Sequence, residues 1–336
     1  QWEHEKLQDL DPDHVAEILG EEARKSLEMM KQILKMLEEA GYIQKIGDEF
    51  RLTPLGLRKL GEKALHEIFA NMKKDQFGDH RARVGGFGIE RFDETKRYEF
   101  GDPFTIDLNS TFMNTLQREM ADGPRVPIHM NVDDFEVFKM EYSSRSATVL
   151  VLDSTWSMTW GNKFAAAKKV ALALNSLIQT KYPRDVLYLV RFEGLAMEIK
   201  MDELAYVTET QTPYRGTNIQ HALQLSRHLL SKESSSNKQI LIITDAQPTA
   251  HIENGRLWQQ YPPTRRTLEM TLKEAYYCRR AGITINLFML DTDPYLREFA
   301  HEMAQANKGR AFFTTPERIG EYILIDYQAR KRKRIA

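Results

Sequence analysis

The segment Val149-Leu-Val-Leu-Asp-Ser-Thr-Trp-Ser-Met158 decides the fold of this chain. It begins with four apolar residues and then places an acid and two hydroxyls at two-residue steps: Asp153, Thr155 and Ser157. A short apolar run bounded in this way is typical of a buried strand in a parallel sheet. Its polar residues then lie at the carboxyl edge, where open α/β sheets bind their ligands. One carboxylate and two hydroxyls form an oxygen-only pocket, which favours Mg²⁺ over zinc or copper.

The composition indicates an intracellular chain with more than one domain. At 336 residues it is long enough for two domains, one of them with a sizeable core. The single cysteine, Cys278, excludes an intramolecular disulfide and a cysteine-based zinc site, and it fits a reducing compartment. No apolar stretch approaches the roughly 20 residues of a membrane-spanning helix. We therefore expect a cytoplasmic protein without membrane insertion, although a sequence that starts at Gln1 leaves a removed targeting segment open.

Residues 1–71 are predicted to form a small α+β domain. Asp11-Pro12 is a helix start, with aspartate at the N-cap and proline at the first helical position. A second helix is predicted over residues 21–40, because the apolar residues there recur with a period of 3.6. The alternating stretch 42–52 is typical of a two-stranded hairpin, and Thr53-Pro54 opens another helix.

This order of helix, hairpin and helix resembles the second half of a winged helix-turn-helix. Such domains often bind DNA, which requires basic residues that displace counterions. Residues 1–75 carry 12 Lys and Arg against 16 Asp and Glu, and the helix that would enter the groove begins Gly20-Glu-Glu22. We therefore expect this winged-helix-like domain to contact a protein or to serve as a scaffold, and we expect no nucleic-acid partner.

Residues 72–144 are predicted to be an irregular connector with short strands. Glycines interrupt the region, most densely in the cluster Val84-Gly-Gly-Phe-Gly88. No strong strand precedes this cluster and no Lys-Ser/Thr pair follows it, so it lacks the pattern of a phosphate-binding loop. A polar helix is predicted at about 107–120, and strands are predicted around 128–130 and 136–142.

Residues 145–336 alternate strand and helix regularly and determine the fold class. We predict an α/β architecture with a doubly wound, mostly parallel, Rossmann-like sheet, because helices of this length between strands imply right-handed crossovers. A short strand near 196–200 is predicted to form an edge hairpin with the strand before it. The predicted strands are 147–152, 186–192, 239–244, 283–290 and 311–314. The predicted helices are about 162–180, 217–232, 265–281, 294–306 and 316–328.

Two further segments supply polar side chains to the edge at which Asp153 is expected. Thr217 ends a polar loop just before a helix, and Asp245 closes a second apolar strand. Thr217 and Asp245 can meet Asp153, Thr155 and Ser157 only if the strands that carry these segments are neighbours and end at the same edge. A doubly wound sheet has this arrangement. The candidate metal-binding set is Asp153, Thr155, Ser157, Thr217 and Asp245.

This set resembles the metal-ion-dependent adhesion site (MIDAS) of von Willebrand factor type A (VWA) domains. That family has Asp-x-Ser-x-Ser, a distant threonine and an aspartate that closes an apolar strand, in the order found here between about 145 and 330. Together with the winged-helix-like front, Asp153-Ser-Thr-Trp-Ser-Met158 is most similar to bacterial stand-alone VWA proteins. Those are commonly partnered with MoxR-type AAA+ ATPases or related to magnesium-chelatase subunits.

The resemblance implies a protein-interaction module rather than an enzyme. Five side chains with only two negative charges underfill the octahedral shell of Mg²⁺, or of Mn²⁺ in its place, and an Asp or Glu of a partner would complete it. The partner that the family implies is a MoxR-type AAA+ ATPase. Trp156 and Trp160 flank the metal loop, and we predict that they bind the partner, because tryptophan is enriched at interface hot spots. Packing on the sheet edge is the alternative for these two side chains.

Two positions depart from the family pattern. Thr155 replaces the first serine and keeps a hydroxyl that can ligate. Ala246 follows Asp245 where the family usually has glycine. If the backbone there has a positive φ, alanine costs on the order of 1 kcal/mol and lowers the metal affinity. The histidine closest in sequence to the site, His221, is predicted to have a structural role rather than a catalytic one.

Two other functions fit parts of the sequence. A strand-end Asp153-x-Thr155 also resembles the motif of haloacid-dehalogenase-like, Mg²⁺-dependent phosphatases, but these need a second aspartate where Thr155 stands. A DNA-binding regulator would use the winged-helix-like front, and the acidity of that front argues against it.

Overall fold

The computed structural model describes eight stretches of the chain, which fall into two units. Unit 1 comprises residues 1–77 and 144–331, and unit 2 comprises residues 78–143 and 332–336. The described stretches are residues 11–46, 49–75, 95–99, 106–121, 128–138, 145–208, 215–291 and 293–331.

Unit 1 begins with two helices, a hairpin and a third helix, in the order that the sequence predicts. The side chain of Asp11 caps the first helix by accepting a hydrogen bond from the amide of Asp13 at 3.1 Å. Strands β1 and β2 pair antiparallel, and the boundary predicted at residue 71 falls within the third helix. These elements are α1 (Pro12–Leu19), α2 (Glu21–Glu39), β1 (Ile43–Ile46), β2 (Glu49–Leu52) and α3 (Pro54–Asp75).

Unit 2 is more regular than the connector that the sequence predicts. Strand β3 (Thr95–Arg97) was not predicted, and it pairs antiparallel with β4 (Glu136–Phe138). The predicted polar helix is confirmed as α4 (Leu108–Ala121). Residues 128–130, which were predicted to be a strand, form no regular element. The Gly-rich cluster 84–88 lies outside the described residues.

The strands and helices predicted for residues 145–336 are confirmed, with small shifts at their ends. In chain order they are β5 (Ser146–Asp153), α5 (Lys163–Lys181), β6 (Val186–Phe192), β7 (Ala196–Ile199), α6 (Ile219–Ser231), β8 (Asn237–Thr244), β9 (Ala250–Glu253), β10 (Arg256–Gln259), α7 (Arg265–Arg280), β11 (Ile283–Met289), α8 (Pro294–Asn307), β12 (Arg310–Phe313) and α9 (Ile319–Lys331). A 3₁₀ helix, Trp156–Asn162, separates β5 from α5.

The hairpin of β9 and β10 was missed by the sequence analysis. Its turn is Asn254-Gly255, with φ values of 51° and 73°. Asn-Gly between two short alternating strands is among the strongest hairpin signals in a sequence, because both turn residues need a positive φ. The sequence therefore contains the signal for this hairpin.

Six strands form one doubly wound sheet, which confirms the predicted fold class. The strand order is β12-β11-β8-β5-β6-β7, and all neighbours are parallel except β6 and β7, which form the predicted edge hairpin. Two hydrophobic clusters lie on opposite faces, one with α5 and α9 and the other with α6, α7 and α8. Among the described helices, none has the length and apolar character needed to cross a membrane.

The order of the central strands places the candidate site. Strands β5 and β8 are parallel neighbours, with Leu152 opposite Ile243, so Asp153 and Thr244 come level at the same edge. All eight residues of β5 are buried. A strand buried on both faces explains the continuous apolar run that precedes Asp153.

Helix α3 packs on α5 and joins the same hydrophobic cluster. Ala64 and Ile68 of α3 are buried in the cluster that contains Leu174 and Leu177 of α5. Gly61 permits the close approach, because a Cβ atom there would lie 2.9 Å from the carbonyl oxygen of Leu172. The N-terminal segment is thus part of the packing of the sheet domain, and its relation to winged-helix domains stays a prediction.

An ion pair between the half-buried Arg118 and the buried Asp134 organises unit 2. The carboxylate of Asp134 is almost wholly buried and accepts hydrogen bonds from Nε and Nη2 of Arg118 at 2.9 and 2.8 Å. It also accepts the amide of Asn131 at 2.9 Å and the hydroxyl of Thr115 at 3.2 Å. The Arg118 guanidinium, with these further donors, lowers the pKa of Asp134 to about 2, although burial acts in the opposite direction.

Loss of the Asp134 carboxylate should weaken unit 2. We expect Asp134→Asn to cost about 2–3 kcal/mol, because several charge-assisted hydrogen bonds are lost together. Faster amide hydrogen exchange over residues 108–121 would show this loss. Asp133→Asn is the matched control, since Asp133 is exposed. Equal effects of the two substitutions would contradict the role given to Asp134.

The stability that the Asp134 carboxylate contributes to unit 2 should depend on pH. Because the pKa in the folded chain lies below the ordinary aspartate value of 3.8, the stabilisation is fully present above that value and is lost as the pH falls through about 2. The ¹⁵N NMR signal of Arg118 Nε, followed during acid titration, reports this loss directly.

Candidate metal centre at the sheet edge

The predicted site lies where β5 and β8 end. Asp153 is the last residue of β5 and is completely buried, whereas Thr155 and Ser157 are half-buried in the turn that follows. Asp245 directly follows β8 and is also buried. The parallel pairing of the two strands brings both carboxylates to one edge, as the sequence analysis required.

A continuous line of hydrogen bonds joins four of the five predicted residues. Asp153 Oδ1 accepts both the amide of Thr155, at 2.9 Å, and its hydroxyl, at 2.6 Å. The hydroxyl oxygens of Thr155 and Ser157 lie 3.2 Å apart. Ser157 in turn donates to Asp245 Oδ1 at 2.7 Å. The two carboxylates are therefore connected through the two hydroxyls of the Asp-x-Thr-x-Ser motif.

Thr217 lies at the same edge, but it is held differently. Its backbone amide donates to Thr249 Oγ1 at 2.8 Å, and its neighbour Asn218 donates from the backbone to the Glu193 carbonyl at 2.9 Å. Glu193 follows β6, whose last residue pairs with Asp153. Within the described residues, the Thr217 hydroxyl makes no hydrogen bond to the other four members of the set. The structure thus brings Thr217 to the edge without joining it to the line of oxygens.

Two residues at the site were missed by the sequence analysis. Thr244 Oγ1 donates to Asp153 Oδ2 at 2.5 Å, so each oxygen of that carboxylate has a hydroxyl donor. Lys163 Nζ donates to Asp245 Oδ2 at 2.8 Å. Thr244 could have been recognised as the last residue of the apolar strand before Asp245. No sequence pattern marks Lys163, because the backbone conformation of the preceding 3₁₀ turn determines whether its side chain can reach the site.

The line of oxygens begins and ends at a buried carboxylate, Asp153 and Asp245 respectively. Burial and, secondly, the nearby Asp245 carboxylate raise the pKa of Asp153 to about 7, although the hydrogen bonds from Thr155 and Thr244 act in the opposite direction. A buried carboxylate is stable in its charged form only when it is paired or coordinated. Asp245 is paired with the ammonium of Lys163, and Asp153 accepts hydrogen bonds from two hydroxyls and one amide.

Neighbouring oxygens in this line have the spacing of hydrogen-bonded atoms, and the same spacing is compatible with the shell of a small, hard cation. In an octahedral shell with metal–oxygen distances near 2.1 Å, adjacent ligand oxygens lie about 3 Å apart. The successive oxygens from Asp153 through Thr155 and Ser157 to Asp245 are separated by 2.6, 3.2 and 2.7 Å. No group of three or more His, Cys, Asp or Glu side chains in the described stretches is arranged for a metal, so any ion here would depend on the hydroxyls.

Ala246 is not strained at this turn. Asn162, Asn254 and Lys308 are the non-glycine residues with a positive φ in the described part of the chain, and Ala246 is not among them. The turn is instead closed by Thr244 Oγ1, which accepts the amide of Ala246 at 3.2 Å. The conformational cost considered for alanine at this position therefore does not arise.

His221 has the structural role that the sequence predicts. Its Nδ1 atom accepts the backbone amide of Ala196 at 2.9 Å, which ties the first turn of α6 to the start of β7. Burial lowers the pKa of this imidazole, so the neutral form that accepts the hydrogen bond is favoured.

Trp156 and Trp160 form an exposed aromatic pair beside the line of oxygens. Their ring centroids are 4.6 Å apart with an interplanar angle of 69°, which is an edge-to-face contact. Each tryptophan is 59% exposed. The two indoles therefore pack on each other and leave much of their surface to solvent.

The sequence family agrees with this geometry. Residues 146–328 match the family model of the vWA domain of Rv0959-like proteins, and residues 90–140 match the model of the third domain of the same proteins. The chain belongs to the Rv0959-like VWA family. VWA domains generally mediate protein–protein interactions. The second match covers β3, α4 and β4, the described elements of unit 2.

Two mycobacterial relatives extend over nearly the whole chain. Rv0959 of Mycobacterium tuberculosis (strain ATCC 25618 / H37Rv) and Mb0984 of Mycobacterium bovis are each 28% identical to it over 333 residues. The alignment covers 97% of this chain and 49% of each relative. This Rv0959-like chain therefore spans about half the length of the relatives that it matches.

Several solved structures are similar to the VWA domain at low sequence identity. The pilus adhesin SpaC of Lactobacillus rhamnosus GG is 16% identical, with a TM-score of 0.44, over 57% of this chain and 31% of SpaC. The vWF domain of the pilus tip protein Mfa5 of Porphyromonas gingivalis is 13% identical, with a TM-score of 0.43, over 58% of this chain and 98% of that domain. BatB of Bacteroides thetaiotaomicron is 13% identical, with a TM-score of 0.43, over 56% of this chain and 100% of BatB.

The hydroxyl of Thr244 should stabilise the metal-free protein. We expect Thr244→Val, which keeps the side-chain shape, to cost about 1–3 kcal/mol, because Asp153 Oδ2 loses a buried donor. Urea unfolding in the presence of EDTA measures this change. Thr159→Val is the control, since the exposed Thr159 hydroxyl donates only to the Trp156 carbonyl. If Thr244→Val lowers the free energy of unfolding no more than Thr159→Val does, the stabilising role given to the Thr244 hydroxyl is wrong.

Proposed function

We propose that this VWA domain binds Mg²⁺, or Mn²⁺ in its place, at the edge formed by β5 and β8. The observation that carries the proposal is the line of closely spaced oxygens that joins two buried carboxylates. Asp153, Thr155, Ser157 and Asp245 would hold the ion, and Thr217 would contribute its hydroxyl as the resemblance to the MIDAS implies. The ion would supply the positive charge that two buried aspartates require.

The bound ion would serve recognition rather than hydrolysis. The set offers two carboxylates and three hydroxyls, which leaves one position of an octahedral shell without a protein ligand. An Asp or Glu side chain of another protein suits that position, because a hard divalent cation prefers carboxylate oxygens. A partner bound in this way would be released by chelation of the metal.

The exposed tryptophans support a protein partner. Trp156 and Trp160 lie on the same 3₁₀ turn as Ser157, so a partner whose carboxylate reaches the ion would meet the aromatic pair. Tryptophan contributes much of the binding energy where it becomes buried at an interface. From the resemblance to stand-alone bacterial VWA proteins, we infer that the partner is a MoxR-type AAA+ ATPase, for which this chain acts as an adaptor.

The side chains around the site support a binding role over phosphatase chemistry. Thr155 occupies the position where a haloacid-dehalogenase-like phosphatase would need its second aspartate. The nearby imidazole of His221 accepts a backbone hydrogen bond, and the ammonium of Lys163 is paired with Asp245. The family match is to a VWA domain, which argues in the same direction.

Metal binding should depend on the buried carboxylate. We expect the whole chain to bind one Mg²⁺ or Mn²⁺ ion and Asp153→Ala to weaken binding by at least about 100-fold, the upper range for outer-shell changes at metal sites. Isothermal titration calorimetry measures both affinities. Asp202→Ala is the control for loss of an aspartate, because Asp202 is exposed and lies outside the site. Equal losses in the two variants would contradict the site.

Partner capture should require both the metal and the tryptophans. With the whole chain immobilised, we expect an AAA+ ATPase to be retained from a lysate of the source organism in Mg²⁺ and to be released by EDTA. Asp153→Ala and the double substitution Trp156→Ala, Trp160→Ala should each prevent retention, whereas Trp258→Ala, an exposed tryptophan on β10, should not. Mass spectrometry identifies the retained protein. Retention that is unchanged by EDTA would show that no metal bridges the two proteins.

A further inference from the structure

Lys163 is placed where a lysine is unfavourable for the helix that carries it. It is the first residue of α5, and the positive end of the helix dipole disfavours a cation at that position. Its ammonium is nevertheless directed to Asp245, with side-chain exposures of 17% for the lysine and 2% for the aspartate. The stabilising interaction of Lys163 is therefore with the site and not with its own helix.

The path of the chain before α5 supports this placement. Gly161 and Asn162 both have left-handed backbone conformations, with φ values of 63° and 57°. Asparagine adopts such a conformation at some cost, so two successive residues of this kind mark a specific change of direction. The result is that α5 begins beside the sheet edge, within reach of Asp245.

The ammonium binds the same carboxylate that a metal ion would use, at the other of its two oxygens. Asp245 Oδ1 accepts from Ser157 and Oδ2 accepts from Lys163, so each oxygen of this carboxylate already has one donor. A divalent ion entering beside Ser157 would lie close to the ammonium of Lys163. Two cations that bind the same carboxylate in a partly buried site repel each other strongly.

We propose that Lys163 is a tethered cation, which neutralises Asp245 in the metal-free protein and which a divalent ion must displace. This inference rests on the proposed metal centre and adds a competitor built into the same chain. A lysine suits the role, because its compact charge is carried on a flexible four-carbon chain and is readily hydrated. The partial exposure of Lys163 gives its ammonium a route to water when the ion enters.

The consequence is a metal affinity lower than the oxygen ligands alone would give. Each binding event must break the ion pair between Lys163 and Asp245 before the ion gains the carboxylate. A partner carboxylate that completes the shell would then favour the metal-bound state over the lysine-bound state. Metal and partner would bind with positive coupling, because each stabilises the state in which Lys163 is displaced.

The test compares three substitutions in the whole chain by Mn²⁺ titration calorimetry. Lys163→Met removes the charge and keeps the length of the side chain, and Lys163→Arg keeps the charge. Lys169→Met is the matched control, because Lys169 lies on the same helix and pairs with Glu67 at the surface. Circular dichroism in EDTA verifies folding, and Lys163→Gln replaces the Met variant if that variant does not fold.

We expect Lys163→Met to bind Mn²⁺ at least about tenfold more tightly than the unsubstituted chain, because a like charge near the ion is removed. Lys163→Arg and Lys169→Met should show no such gain. In EDTA, the Met variant should also unfold at a lower temperature, because Asp245 has lost its counter-charge. If Lys163→Met and the unsubstituted chain bind Mn²⁺ with equal affinity, the inference about Lys163 is wrong and the metal centre stands. If neither chain binds Mn²⁺, the metal centre is wrong and the inference falls with it.

Discussion

Two carboxylates that are buried at one edge of a parallel sheet constrain the rest of this site. The strand order brings Asp153 and Asp245 together and buries both of them. Like charges repel more strongly in a protein interior than in water. Burial and, secondly, the neighbouring Asp245 carboxylate raise the pKa of Asp153 to about 7. The polar contacts around the pair reduce the cost of burying these charges. Hydroxyls of Thr155, Thr244 and Ser157 donate to the carboxylates, and Lys163 brings a full positive charge.

The packing of helices links this electrostatic constraint to the N-terminal segment. Helix α5 delivers Lys163 from its first residue and packs along its length against α3. Gly61 lets the two helices approach closely, and Glu67 of α3 pairs with Lys169 of α5. A shift of α3 would therefore move α5 and with it the cation that neutralises Asp245. The N-terminal segment therefore contributes to the packing of the sheet domain.

The parts of the structure that follow from periodicity could be predicted from the sequence, and the parts that depend on long-range packing could not. The apolar runs before Asp153 and Asp245 predicted both central strands, and their common edge followed from the parallel topology. The position of Lys163 depends on two left-handed residues in a 3₁₀ turn, for which spacing gives no rule. Helix α2 shows the same limit, because its apolar period predicted the helix, yet Leu27 is buried while Ile33 remains 43% exposed. Periodicity identifies an amphipathic face but not the surface that covers it.

The use of hydroxyls instead of further acids follows from the same constraint. A third carboxylate within the line of oxygens would add another buried negative charge to it, whereas a hydroxyl carries none. A hydroxyl also has one donor and two acceptor lone pairs. Thr155 and Ser157 can therefore donate to Asp153 and Asp245 in the metal-free protein and, in the proposed metal-bound state, ligate an ion without leaving those carboxylates. If the proposed metal centre forms, the same oxygens would serve both states, and the main group that would have to move is the ammonium of Lys163. The choice between the two states would then depend on one lysine side chain and not on a refolding of the loop.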